Sequence, residues 1–188
     1  MTDINDPLSE PLDAKRRAGA AAPGNPLRRS DAELLAYAEL LFFAYRDFTR
    51  DPDAILQDFG FGRAHHRVLH FVNRHPGMKV ADLLEVLKIT KQSLGRVLKQ
   101  LIDQGYVVQK EGDNDRRQRL LFVTAKGEQL AMKLAGLQTE RIARALGEIG
   151  PNAHEAARRF LVAMIDADGR DGVQKLIARA DRARRPRT

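Results

Sequence analysis

The sequence predicts a mainly α-helical fold interrupted by one small β-hairpin. Three observations carry that expectation. Apolar residues recur at three- and four-residue spacing through most of residues 33–168, the period of helices with one buried face. Only "YVVQK" and "RLLFV", with the charged run "EGDNDRRQ" between them, break that period. Short β-branched or apolar runs around a polar loop read as a hairpin. Positive charge is concentrated rather than spread. Residues 60–123 hold 12 basic and 6 acidic side chains, and residues 170–188 hold 7 and 2, in a 188-residue chain of net charge +7.

The elements follow in chain order. Residues 1–30 carry Pro7, Pro11, Pro23 and Pro26 with mixed charge and no apolar period, the pattern of a disordered arm. Its acidic, proline-interrupted start is unlike a signal peptide. Ser30, with Glu33 three residues on, is an expected N-cap. The first helix then carries one apolar stripe of Leu34, Ala38, Leu41, Tyr45 and Phe48, widened by Leu35 and Phe42 and suited to a core or a dimer interface, and "RDPD" is expected to end it at Pro52. A second helix fits "FGRAHHRVLHFVNRH", buried through Val68, Leu69 and Val72 and stopped by Pro76-Gly77. A short third fits "KVADLLEVLK". The fourth begins at Thr90 and ends at Gly105, where a left-handed residue is needed.

After the hairpin, Thr124 caps a long helix over "AKGEQLAMKLAGLQTERIARALGEI", stopped by Pro151. A last helix spans roughly 152–168, with a further stretch at 171–180 and a basic tail. The expected organisation is thus an arm (1–30), a principal domain (31–169), and a short helix with basic tail (170–188).

Composition excludes several classes. The chain has no cysteine, so it has no disulfide, thiolate metal site or thiol oxidant sensor, which fits a cytoplasmic protein. No apolar run reaches the roughly 18 residues of a membrane span. No Gly-rich phosphate loop and no His-Glu-x-x-His stand in the sequence, so neither enzyme activity nor a cofactor is expected. His66 and His70, at i and i+4, have the spacing of zinc ligands. A third ligand would have to come from elsewhere, such as His75 or an acidic residue of the first helix. They are therefore read as surface histidines, one of them touching phosphate or facing a pocket, and no metal is expected.

The fourth helix, "ITKQSLGRVLKQLIDQGYV", divides into two faces. Leu94, Val97, Leu98, Leu101 and Ile102 form an apolar side; Lys91, Gln92, Arg96 and Lys99 form the other. Two short helices, the tight connection "KIT" and this helix make a helix-turn-helix pattern, and the hairpin adds a wing. The major groove of B-DNA, about 12 Å wide, admits one α-helix. Arg and Gln can then meet base edges bidentately, while Lys and Ser suit phosphate contacts. Gly95 keeps the polar side low for close approach. In isolation such a face is most often a solvated surface; the wing and the local charge favour DNA.

From about Glu33 to Ile165 the chain resembles the MarR family of winged helix-turn-helix regulators. The resemblance rests on "ITKQSLGRVLKQLIDQGYV" and on "DNDRRQRLLFVTAKGEQL", whose wing reads Asp115-Arg116-Arg117 and whose strand exit reads Val123-Thr124-Ala125-Lys126-Gly127. Valine stands where the family has leucine before the Thr-x-x-Gly. The resemblance implies a homodimer with the winged core at about 60–123 and dimerisation helices at 33–50 and 124–168. It implies binding of double-stranded DNA at a near-palindromic operator, and repression relieved by a small aromatic or anionic effector. Arg117 would enter the minor groove, oriented by Asp115. Thr90, Lys91, Gln92, Ser93, Arg96 and Lys99 would meet the major groove, with Arg116 and Arg119 on phosphate. Tyr45, Arg46, Arg63 and His66 match the family's effector crevice. A chain that coats DNA without sequence preference, or a regulator without effector, are the alternatives.

Overall fold

The computed structural model describes residues 30–112, 115 and 117–184. Two units are distinguished, residues 1–39 and 40–188. The described part of the first is the start of helix α1 (Asp31–Gln57). Ser30 caps it as expected: its hydroxyl accepts Glu33 N–H at 3.3 Å, and the Glu33 carboxylate accepts Ser30 N–H at 2.8 Å. The expected arm lies outside the described residues.

Contrary to the sequence expectation, α1 does not end at Pro52 but runs through it to Gln57. Proline removes the N–H that Phe48 C=O would accept. Gln138 Nε2, far along the chain, donates to that carbonyl instead at 3.5 Å. Arg141 pairs with Asp51 at 3.0 Å alongside. Buried Pro52 and Leu56 then fix the last turns in the core.

The winged core follows as α2 (Arg63–Arg74), β1 (Met78–Lys79), α3 (Val80–Leu87), α4 (Lys91–Asp103), β2 (Val107–Glu111) and β3 (Arg119–Val123). The hairpin is as expected, with Val107 opposite Val123 and Glu111 opposite Arg119. A third strand, β1, joins it, giving the antiparallel order β1-β3-β2. Two residues after Pro76-Gly77 are too few to show a period of two, so this strand left no trace in the pattern. Leu69, Leu83, Leu94, Leu101, Val107 and Leu121 form the core between helices and sheet.

Helix α5 (Ala125–Ile149) packs on α2, and Leu130 and Leu134 extend the same core. Thr124 caps it, its hydroxyl accepting Gly127 N–H at 3.1 Å. A 3-10 turn (Pro151–Ala153) leads to α6 (His154–Ala163), five residues shorter at its end than expected. Helix α7 (Ala167–Arg184) is longer than the expected 171–180. Arg170 bridges the two helices, donating to the carbonyls of Ala163 and Ile165. Leu176 packs on the core, Ala180 is buried, and Arg74 pairs with Asp181 at 2.8 Å. No helix among the described residues is long and apolar enough to cross a membrane.

Candidate nucleic-acid interface

Helix α4 is built as its two faces require. Leu94, Val97, Leu98 and Leu101 are buried, whereas Lys91, Gln92, Ser93, Gly95, Arg96 and Lys99 are exposed. Thr90 caps it: its hydroxyl oxygen accepts Ser93 N–H at 3.1 Å and lies 2.9 Å from Ser93 Oγ. Gly105 ends it in the left-handed conformation, φ 73°. Nothing lies within 4 Å of where a Gly95 side chain would begin, so the exposed surface is open there.

The cations of this face differ in their local partners. Lys99 reaches Asp103 at 2.6 Å, one turn on. Among the described residues, Lys91 and Arg96 pair with no carboxylate. Exposed guanidinium and ammonium groups without an acidic neighbour attract an anion most strongly.

The described wing residues are tied together by main-chain hydrogen bonds. Gln118 N–H donates to Asp115 C=O at 2.9 Å and Gly112 N–H to Gln118 C=O at 3.1 Å. The Asp115 carboxylate accepts Arg117 N–H at 2.9 Å. Asp115 thus holds the main chain at Arg117. Arg119 bonds Glu111 across the hairpin at 2.9 Å. Arg116 lies outside the described residues.

Tyr45, Phe48 and Thr49 of α1, Arg63, His66, Arg67, His70 and Phe71 of α2, and Gln138 of α5 line a half-open cavity of about 210 Å³. Three of the four expected effector residues, Tyr45, Arg63 and His66, meet there. Arg46 is not among the lining residues; it bonds Asp47 at 2.9 Å and sits over the Phe43 ring. Asp53 holds Arg63 at 2.8 Å, and the Arg63 guanidinium covers the Tyr45 ring at 5.5 Å. His66 is buried rather than a surface histidine. Burial pushes its pKa down, partly offset by the Asp53 charge, which favours the neutral imidazole.

A cavity of about 150 Å³ holds a benzene ring, so this one accommodates a ring with a small substituent. Its aromatic walls suit the ring, and Arg67 suits a negative group, whereas Arg63 is already answered by Asp53.

Sequence reading missed one connection. His65 stands in the first turn of α2, where its Nδ1 accepts Gly62 N–H at 3.1 Å. Its Nε2 lies 2.8 Å from Gln100 Oε1 on α4, and Gln100 Nε2 donates to Gly60 C=O at 3.2 Å. A polar side chain at the third position of a helix is a capping signal; its second partner, 35 residues away, gives none.

Comparison with known proteins places these features. The MarR family profile matches residues 59–118, which span α2 to the wing. The chain is 45% identical over 161 residues to the HTH-type transcriptional regulator PetP of Rhodobacter capsulatus, covering 85% of this chain and 97% of that protein. The crystal structure of S. aureus MepR in its DNA-binding conformation superposes with a TM-score of 0.61 at 17% identity, covering 68% of this chain and 95% of that one. A MarR transcriptional regulator from Methanosarcina mazei gives 0.56 at 21% identity, covering 72% and 94%.

Proposed function

Because the chain belongs to the MarR family of transcriptional regulators, we propose that it binds a near-palindromic operator in duplex DNA as a homodimer and represses transcription there. The observation that carries this reading is α4 itself: a helix buried along one side, with Lys91, Gln92 and Arg96 exposed along the other and no carboxylate answering either cation among the described residues. In this reading Arg96 and Gln92 meet base edges, and Lys91, Ser93, Thr90 and Lys99 position the helix on phosphate. Arg117 reaches the minor groove from the wing turn that Asp115 shapes, and Arg116 and Arg119 add phosphate contacts.

Homodimerisation is supported by apolar surface that the single chain leaves open. Phe42 and Phe43 on α1, Ile142 and Ile149 on α5, Leu161 on α6 and Met164 just after it are each between 46% and 73% exposed. Clusters of that kind mark interfaces. A second copy also supplies a second recognition helix, which operator symmetry requires.

The cavity beside α2 supports an effector of the aromatic-anion class. Release from DNA follows if the effector binds better to a dimer whose recognition helices are wrongly spaced. Shifting the DNA-competent population from 99% to 1% needs roughly a 10⁴-fold difference in effector affinity between the two states.

A competition mobility shift tests the reading. The protein is expected to prefer a duplex it selects from a random library over unselected duplex by about 10³-fold or more. Arg96→Ala is expected to cost about 1–3 kcal/mol on the selected duplex and to relax base preference at one position per half-site. Equal affinity of the wild-type protein for both duplexes would instead identify a protein that coats DNA without sequence preference.

A further inference from the structure

We infer that His65 and Gln100 form a positioning pair that fixes how α4 is presented to DNA, through a hydrogen-bonded tie from the α1–α2 corner to the recognition helix. The inference rests on the DNA-binding reading above. Its basis is a chain of hydrogen bonds with only one consistent direction. Gly62 N–H can only donate, so His65 Nδ1 is the acceptor. Nε2 then carries the proton and donates to Gln100 Oε1. That leaves the Gln100 amide to donate to Gly60 C=O. Each group satisfies the next, and the chain begins and ends on the same three-residue corner, Gly60 to Gly62.

The surroundings hold the ring in place. His65 stacks on Phe61 with centroids 4.7 Å apart and planes at 12°. Buried Phe61 meets buried Tyr106 edge-on at 5.1 Å. Tyr106 N–H in turn donates to Leu101 C=O near the end of α4. The corner is thus fastened to the C-terminal half of α4 twice, by apolar rings and by the Gln100 amide. Gln100 follows Lys99 and stands one helical turn after Arg96, so its tether sets the roll of the exposed face. A small change of roll moves a bidentate side chain out of register with base edges, while diffuse attraction to phosphate is insensitive to it.

This separation defines the test. Full-length wild-type, His65→Phe, Gln100→Leu, the double variant and His65→Gln are compared on the duplex selected by the wild-type protein and on random duplex, with melting temperatures in parallel. Phenylalanine keeps the stacking surface and removes both hydrogen bonds. Glutamine keeps one acceptor and one donor. The expected result is a loss of about fivefold or more in affinity for the selected duplex in each of the first two variants. Random-duplex affinity should stay unchanged, the double variant should be no worse than the singles, and His65→Gln should recover most of the loss.

Three outcomes overturn the pair: unchanged preference in Gln100→Leu, additive losses in the double variant, or equal losses on both duplexes. If His65→Phe fails to fold, Gln100→Leu, half-buried on α4, decides alone. A wild-type protein with no preference sinks the DNA reading itself. Normal wild-type preference with indifferent variants sinks only the pair.

Discussion

Gly127→Ala is expected to lower the melting temperature by roughly 6–12 °C, from an overpacking cost of about 3 kcal/mol at roughly 2–4 °C per kcal/mol. Gly127 is buried in the first turn of α5. An added Cβ would stand 1.9 Å from the Tyr106 carbonyl oxygen, 2.9 Å from its carbon and 3.3 Å from its Cα. All three are main-chain atoms, so no side-chain rotation relieves the contact. The Tyr106 carbonyl is also fixed from other directions. It accepts Thr124 N–H at 3.0 Å, its own N–H is held by Leu101, and Lys126 Nζ lies 4.1 Å from the ring centroid. The strand can retreat only by disturbing Gly105 and the end of α4. This is the physical content of the glycine three residues after Thr124. Calorimetry of the purified variant measures it, and an unchanged melting temperature would show that α5 meets β2 less closely than described.

The second large effect concerns assembly. Phe42→Glu combined with Leu161→Glu places two charges on apolar residues that are 73% and 61% exposed in the single chain. Since both side chains face water there, the folded subunit should tolerate the change. In a homodimer that buries them, each carboxylate loses its hydration without a partner. Sedimentation is expected to report the mass of one chain. Affinity for the selected duplex should fall by about 10²-fold or more, because the second half-site is no longer held at high effective concentration. A variant that remains dimeric would remove these faces from the interface.

Much of the winged core was legible because its information is local. Thr90 and Thr124 cap their helices through a hydroxyl three residues from the N–H it accepts, and both were readable as such. The two faces of α4 follow from helical period alone. The hairpin follows from two short apolar or β-branched runs on either side of a charged loop.

What was missed depends on partners distant in sequence. Pro52 signals a helix end, and the groups that offset its missing N–H, Gln138 and Arg141, lie far along the chain. His66 carried two readings in the sequence, a surface histidine and a member of the effector crevice, and only the fold shows that it is buried beside the cavity. Arg46 matched the effector crevice by position, yet its neighbour Asp47 pairs with it, whereas Arg63 and His66 line the cavity. The Asp115 carboxylate accepts the Arg117 N–H, a main-chain contact that the sequence pattern does not signal. His65 and Gln100 were silent for the same reason: a helix face can be read from spacing, but a tie between two helices cannot.

The central proposal is that α4 lies in the major groove with a second copy presenting the same helix nearby. Methylation interference on the selected duplex tests it most directly, because guanine N7 lines the major groove. The expected pattern is two patches of interfering guanines, related by a dyad and about 10 base pairs apart or a multiple of that. Arg96→Ala should erase the same guanine in each patch. A single patch, or binding indifferent to guanine methylation, would contradict the proposal.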